Sequence, residues 1–144
     1  MFVSGSVTMA VRRQERWVNS MAKHGFSVSL GIDEYRYRAT ILDIVDGDTF
    51  DAMVDLGFES FQRKRFRVYG IDTPERGSDK WAAARADLQK LLLRGNNLRI
   101  ATFKDRRDKY GRYVADVVIL DRHGYPAWLS DEMLKLGNAV EYMQ

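Results

Sequence analysis

The sequence contains no cysteine, and this absence excludes two kinds of site. Neither a disulfide nor a thiolate-bound metal can form without that residue. The chain has only two histidines, His24 and His123, so a histidine-rich zinc site is excluded as well. Any metal would therefore need oxygen ligands, which favours a hard cation such as calcium or magnesium.

Long apolar runs are also missing. No stretch approaches the roughly 20 apolar residues of a membrane-spanning helix, so we expect no membrane partner. In the opening stretch MFVSGSVTMAVRRQERW the basic residues follow the apolar ones, which is the wrong order for a secretory signal. These features predict a cytoplasmic location. The net charge of +3 favours an anionic partner only weakly.

The composition, with 45% hydrophobic and 30% charged residues, is typical of a globular domain with its own core. The pattern divides the chain into an N-terminal extension, residues 1–34, and a domain, residues 35–144. The extension carries a rough helical stripe around Trp17 and several arginines. Two interpretations stay open for it, a short docking helix and a poorly ordered basic arm.

The domain begins with three strand-like segments, YRYRATILDIV, TFDAMVDLG and QRKRFRVYGI, which predict an antiparallel meander. The segment SDKWAAARADLQKLLLRG predicts a helix with Ser78 as its N-cap. Two further strands, NLRIATFKD and YVADVVIL, follow, and then a shorter helix in AWLSDEMLKLG. The expected buried residues of this helix are Trp128, Leu129, Met133 and Leu136. This order predicts an α+β, mainly β fold: a five-stranded OB-fold barrel with covering helices.

Acidic residues gather where these predicted strands end. Asp46 and Asp48 lie in the VDGDTF turn, and Asp72 and Glu75 follow the third strand. A meander would bring these carboxylates together, where they repel one another unless a cation joins them. Backbone oxygens such as that of Thr73 could complete an all-oxygen metal site. The alternative is structural, because Asp-Gly-Asp is a common turn and Asp-Thr-Pro-Glu a common helix entry.

Basic residues accompany the acids. Arg67 lies on the third strand, and the segment RRDKYGR contributes three arginines, Lys109 and Tyr110. A metal held by carboxylates beside arginines that fork onto phosphate oxygens is typical of a phosphodiester-cleaving site. Glu75 would suit a general base there. The alternative for RRDKYGR is a solvated basic hairpin.

The segments VDGDTF, FRVYGIDTPE and DKYGR resemble, in order, the three signatures of the staphylococcal (thermonuclease-like) nuclease family. The resemblance covers residues 35–142. It implies a calcium-dependent endonuclease that hydrolyses DNA and RNA with little sequence preference and leaves 3′-phosphate ends. Nucleic acid would thus be its substrate partner.

The resemblance also implies roles for the acidic turn. Asp48 and Asp72 would be carboxylate ligands of Ca²⁺, and Thr73 would add its backbone carbonyl. Asp46 would lie near the metal without ligating it.

The remaining implied roles concern catalysis and substrate binding. Arg67, Glu75 and Arg112 would be catalytic, with Glu75 as the base and both arginines on the scissile phosphate. Lys109 and Tyr110 would contact a neighbouring phosphate.

Two departures from the family leave alternatives open. The secreted members have a further C-terminal helix and tyrosines that stack on the substrate base, whereas here only Tyr142 lies near that region and Tyr113 is another candidate. The N-terminal extension either packs where that helix would lie or adds phosphate contacts. A non-catalytic nucleic-acid-binding OB module is the alternative function. Such a module has no need of the acids, so the full catalytic set favours the enzyme.

Overall fold

The computed structural model describes residues 35–93 and 98–142 of the chain. The predictions for the N-terminal extension, residues 1–34, therefore lie outside the described residues. None of the helices in the described part is long and apolar enough to cross a membrane.

The first three strands form the predicted antiparallel meander. They are β1 (Arg36–Asp46), β2 (Thr49–Gly57) and β3 (Ser60–Val68). Period-two alternation places Phe50, with Ala52 and Val54, in the core. The turn between β1 and β2 is only two residues long, since Asp46 pairs with Thr49.

Three later strands complete the sheet. They are β5 (Leu98–Arg107), β6 (Tyr113–Leu120) and β7 (Pro126–Trp128), and the strand order is β3-β2-β1-β5-β6-β7. A parallel pairing of β3 with β6 closes β1, β2, β3, β5 and β6 into a barrel, which confirms the predicted fold. Closure brings the end of β3 beside the start of β6, where the acidic and basic segments meet.

Short elements complete the domain. Two-residue strands β4 (Ile71–Asp72) and β8 (Val140–Glu141) pair with each other. In the described part of the chain two helices cover the barrel, α1 (Trp81–Leu92) and α2 (Leu129–Leu136). The buried face of α1 consists of Ala84, Leu88, Leu91 and Leu92, as its spacing predicts.

Two details of the helix predictions are wrong. Ser78 does not cap α1, because its hydroxyl donates to the Glu75 carbonyl at 2.7 Å and the helix begins three residues later. Leu136, expected to be buried, is 40% exposed at the last turn of α2, just before Gly137 ends that helix with φ of 87°.

Candidate active-site cleft

One open cleft of about 650 Å³ lies where the β1–β2 turn, the end of β3 and the β5–β6 loop meet. All nine residues singled out by the sequence analysis line it: Asp46, Asp48, Arg67, Asp72, Thr73, Glu75, Lys109, Tyr110 and Arg112. The structure therefore brings both charge sets into one concave site, which is the usual form of a ligand-binding site.

Asp48 is the buried acid of the cleft, with 6% of its surface exposed. Its Oδ2 accepts a hydrogen bond from the Thr73 backbone N–H at 3.2 Å, and its Oδ1 accepts one from the Thr49 hydroxyl at 2.9 Å. These bonds tie the β1–β2 turn to the segment after β4 and fix the direction in which the carboxylate faces.

Arg67 is the cation between the acids. Its Nη1 donates to the carbonyl oxygens of Val68 at 3.0 Å and Ile71 at 2.8 Å, which anchors the guanidinium. Its Nη2 lies 3.5 Å from Asp48 Oδ2 and 3.2 Å from Asp72 Oδ1. The repulsion between these two carboxylates is therefore offset by a side chain of the protein itself, and that side chain is only 7% exposed.

The cleft contains oxygen donors of the kind that a hard cation prefers. Asp48 and Asp72 offer carboxylate oxygens, and the buried Thr73 Oγ1 has no hydrogen-bond partner in the described residues. Within residues 35–93 and 98–142, however, no three acidic, histidine or cysteine side chains are grouped closely enough to hold a metal. Backbone oxygens or water would have to complete the shell, as is common for calcium.

Arg112 is held by Asp108, a residue that the sequence analysis did not single out. Asp108 Oδ1 accepts backbone N–H bonds from Tyr110 at 2.9 Å and from Arg112 at 3.0 Å, and its Oδ2 accepts from Arg112 Nε at 2.6 Å. Gly111, with φ of 81°, supplies the left-handed residue that this turn requires. The DKYGR segment is thus a turn that fixes the direction of the Arg112 side chain.

The pKa of Asp108 reports this arrangement. Burial alone would raise it, but hydrogen bonds from the Arg112 and Tyr110 backbones and the Arg112 guanidinium outweigh burial and lower the pKa below its usual 3.8. The folded state therefore releases this proton more readily than the unfolded chain. The resulting stabilisation is present above the unfolded pKa and is lost as the pH falls through the lower folded value.

We expect Asp108→Asn to lower the free energy of unfolding by about 1–3 kcal/mol at pH 7, because the amide breaks charge-assisted bonds in a partly buried turn. The difference from wild type should shrink as the pH falls through the folded pKa, where Asp108 itself becomes protonated. Urea unfolding at pH 7, 5 and 3 measures it.

The β6–β7 turn supplies a matched control for this prediction. Asp121 accepts the same two backbone bonds, from His123 at 2.8 Å and Tyr125 at 2.9 Å, but the residue four positions later is not an arginine. Asp121→Asn should therefore cost less than Asp108→Asn. Equal losses at every pH would contradict a special role for the Asp108–Arg112 pair.

A hydroxyl group connects Arg112 to the acidic turn. Arg112 Nη1 donates to Thr49 Oγ1 at 2.9 Å, and the same hydroxyl donates to Asp48 Oδ1. Thr49 is itself 1% exposed. The two halves of the site, acids and arginines, are therefore parts of one hydrogen-bond network.

The rim of the cleft carries the more exposed side chains. Glu75 is exposed, and none of the hydrogen bonds or ion pairs described for residues 35–93 and 98–142 engages its carboxylate. Tyr110 is 70% exposed beside Lys109, and Tyr142 places its ring 5.9 Å from the Arg67 guanidinium. Tyr113 instead packs on Phe66 and lines a different cavity.

Helix α1 packs against the β1–β2 turn, which carries Asp46 and Asp48. The Trp81 indole N–H donates to Asp46 Oδ1 at 2.8 Å, and Arg85 donates to the Ile44 carbonyl at 2.9 Å. A Cβ at Gly47 would lie 2.7 Å from the Ala84 Cβ and 3.0 Å from the Thr73 side chain. Glycine is therefore required in DGD by this close approach of helix and turn.

We expect Gly47→Ala to destabilise the fold by about 1–3 kcal/mol, since the added methyl group must displace α1 or the turn. The same shift should move Asp48 and weaken any function of the cleft. Chemical denaturation of Gly47→Ala, Ala84→Gly and the double variant tests the contact. The double variant should be more stable than the sum of the single effects, and simple additivity would contradict the close approach.

Two residues that hold side chains of the site, Asp108 and Trp81, were not recognised from the sequence. Asp108 carries a weak signal, an aspartate three residues before a glycine and four before an arginine. Trp81 carries none, because its spacing matches a buried helix face while its indole in fact holds Asp46.

The fold and the cleft together define a β-barrel that gathers acids and arginines in one concave site. Residues 65–144 match the family described as Staphylococcal nuclease homologue. The chain is also 30% identical over 103 residues to "Thermonuclease" from Staphylococcus intermedius, covering 68% of this chain and 52% of that protein. The chain belongs to the staphylococcal nuclease family, and it spans about half the length of the curated relative that it matches.

Proposed function

We propose that this protein is a metal-dependent endonuclease that hydrolyses phosphodiester bonds of DNA and RNA and leaves 3′-phosphate ends. The observation that carries the proposal is the shared cleft, in which Asp48 and Asp72 flank Arg67 while the Glu75 carboxylate is exposed at the rim and has no partner among the described residues. Family membership and the thermonuclease relative support the same reaction class.

The two arginines suit the scissile phosphate. Arg67 is anchored through Nη1, so its Nη2 can exchange the carboxylates of Asp48 and Asp72 for a phosphate oxygen without losing the position of the guanidinium. Arg112 is fixed through Nε on Asp108 and through Nη1 on Thr49. Preorganised donors of this kind stabilise charge that develops on phosphate oxygens, and they need little rearrangement during the reaction.

Glu75 is suited to activate the water molecule that attacks the phosphate. An exposed carboxylate with no other partner in the described residues can accept a proton from water as the water oxygen bonds to phosphorus. The bond from phosphorus to the 5′ oxygen then breaks. Arg112 stabilises that departing oxygen, which takes a proton from solvent water to become a 5′-hydroxyl, and the phosphate stays on the 3′ side. Glu75 releases its proton to solvent, which restores the carboxylate.

A calcium ion is the proposed cofactor, held by Asp48, Asp72 and the Thr73 carbonyl. When bound, such an ion polarises the phosphate and lowers the pKa of water. Asp46 stays outside this set in our proposal, because its Oδ1 accepts the Trp81 indole hydrogen bond. Lys109 and Tyr110, at the rim, would contact a neighbouring phosphate.

The alternative function is a non-catalytic nucleic-acid-binding barrel. Hydrolysis of single-stranded DNA and of RNA in calcium, in magnesium and in EDTA separates the two. We expect cleavage with calcium that EDTA abolishes, and 3′-phosphate ends on the products. Binding without cleavage in either metal would instead support the binding module.

A further inference from the structure

A second cavity adjoins the cleft on the side of Arg76. It has a volume of about 710 Å³, and Arg65, Arg76, Arg85, Trp81, Ser78 and Asp43 are among the residues that line it. We call it the arginine groove. Arg76 lines both the groove and the cleft, so the two cavities meet at this residue.

The three arginines of the groove are held to different degrees. Arg65 is bound to Asp51 through Nε at 2.7 Å and Nη2 at 3.0 Å, and Arg85 is bound to the Ile44 carbonyl. Arg76 has a single contact in the described residues, with its guanidinium 5.2 Å from the Trp81 ring. Among the described residues, Arg76 is therefore the groove arginine whose N–H groups have no described hydrogen-bond acceptor, and these groups can donate to an incoming anion.

The Trp81 ring contacts two of these arginines and so holds their guanidinium groups in position. Its indole N–H is fixed on Asp46, and the guanidiniums of Arg76 and Arg85 lie 5.2 and 5.9 Å from the ring. Cation–π contacts orient a guanidinium while leaving its N–H groups free to donate. The groove is therefore built for an anion. Asp43 is the carboxylate among its lining residues, and Arg76 and Arg85 lie there without a described carboxylate partner, whereas Arg65 is paired with Asp51.

We propose that the arginine groove binds a second phosphate of the strand whose scissile phosphate lies in the cleft, and that Arg76 makes the contact. The nature of the substrate rests on the proposed function. A cation at the junction of two cavities would extend the site along the backbone without reading bases, since phosphate contacts carry no sequence information.

Binding of a fluorescent single-stranded DNA of about 12 nucleotides, followed by anisotropy in EDTA across a salt series, tests the groove without cleavage. We expect Arg76→Gln to weaken binding about threefold to tenfold and to make the salt dependence shallower by about 0.7 in log–log slope. Arg76→Lys should keep the slope. Arg122→Gln, the same charge change in the β6–β7 loop outside both cavities, is the control and should keep it too.

Cleavage kinetics test whether Arg76 contacts a phosphate other than the scissile one. The loss of kcat/KM in Arg76→Gln should be larger for the 12-nucleotide strand than for a dinucleotide, because only the long strand reaches the groove. Equal losses of kcat/KM for the two substrates, or an unchanged salt slope in Arg76→Gln, would contradict phosphate binding in the arginine groove. A wild-type protein that cuts nothing, with a slope that still falls in Arg76→Gln, would overturn the proposed function and support the groove.

Discussion

Replacing Glu75 by glutamine is expected to lower kcat for phosphodiester cleavage by a factor of about 10²–10⁴, the usual contribution of a general base. The amide keeps the size of the side chain but cannot accept the proton of the attacking water. Nucleic-acid binding should survive, because Glu75 makes no described hydrogen bond or ion pair whose loss would disturb the cleft. Steady-state cleavage of DNA in calcium at saturating substrate measures kcat, and anisotropy in EDTA measures binding.

Glu141→Gln is the matched control for this experiment. Glu141 lies on β8 beside the cleft, is exposed, and loses the same charge on substitution, but it does not line the cleft. Its variant should cleave at the wild-type rate. If Glu75→Gln cleaved as fast as Glu141→Gln, the base would have to be another group, and the proposed mechanism would fail at that step.

The barrel could be predicted because strand alternation is a local property. Phe50, with its period-two neighbours, faces the core, and the two-residue turn after Asp46 fixes the register of the first hairpin. The pairing of β4 with β8 could not be predicted, since two-residue strands carry no periodic signal. The start of α1 was missed for a related reason. The Ser78 hydroxyl bonds the Glu75 carbonyl inside the preceding turn instead of capping the helix.

The residues that line the cleft could be predicted from the sequence, but the contacts between these residues could not. Motif residues at strand ends meet in one place because closure of the barrel forces β3 against β6. Sequence spacing did not indicate that Arg67 itself bridges Asp48 and Asp72, or that Asp46 is bound to Trp81. These contacts join residues that are distant in the chain, and side-chain direction decides them.

The central position of Arg67 leads to the second large effect. We expect Arg67→Gln to lower the free energy of unfolding in EDTA by about 3 kcal/mol, at the low end of the range for removing one partner of a buried ion pair. The low end applies because the Asp72 side chain is 52% exposed and can regain water, whereas Asp48 cannot. The variant also loses the bonds to the Val68 and Ile71 carbonyls.

A divalent cation should rescue this variant more than it stabilises wild type. In wild type a cation must compete with Arg67 Nη2 for the same two carboxylates, whereas in Arg67→Gln those carboxylates have lost their counter-ion. Tm should therefore rise more steeply with calcium for Arg67→Gln, as linkage requires for tighter binding to the folded state.

Arg65→Gln, two residues earlier on β3 and paired with Asp51, provides the comparison for the cation effect. It loses the same charge from the same strand, but its acid partner does not line the cleft and keeps Arg63 at 3.1 Å. Calcium should stabilise it no more than wild type. Equal calcium responses in both variants would mean that Asp48 and Asp72 do not bind the ion, and the acids of the cleft would then serve only to hold Arg67 in place.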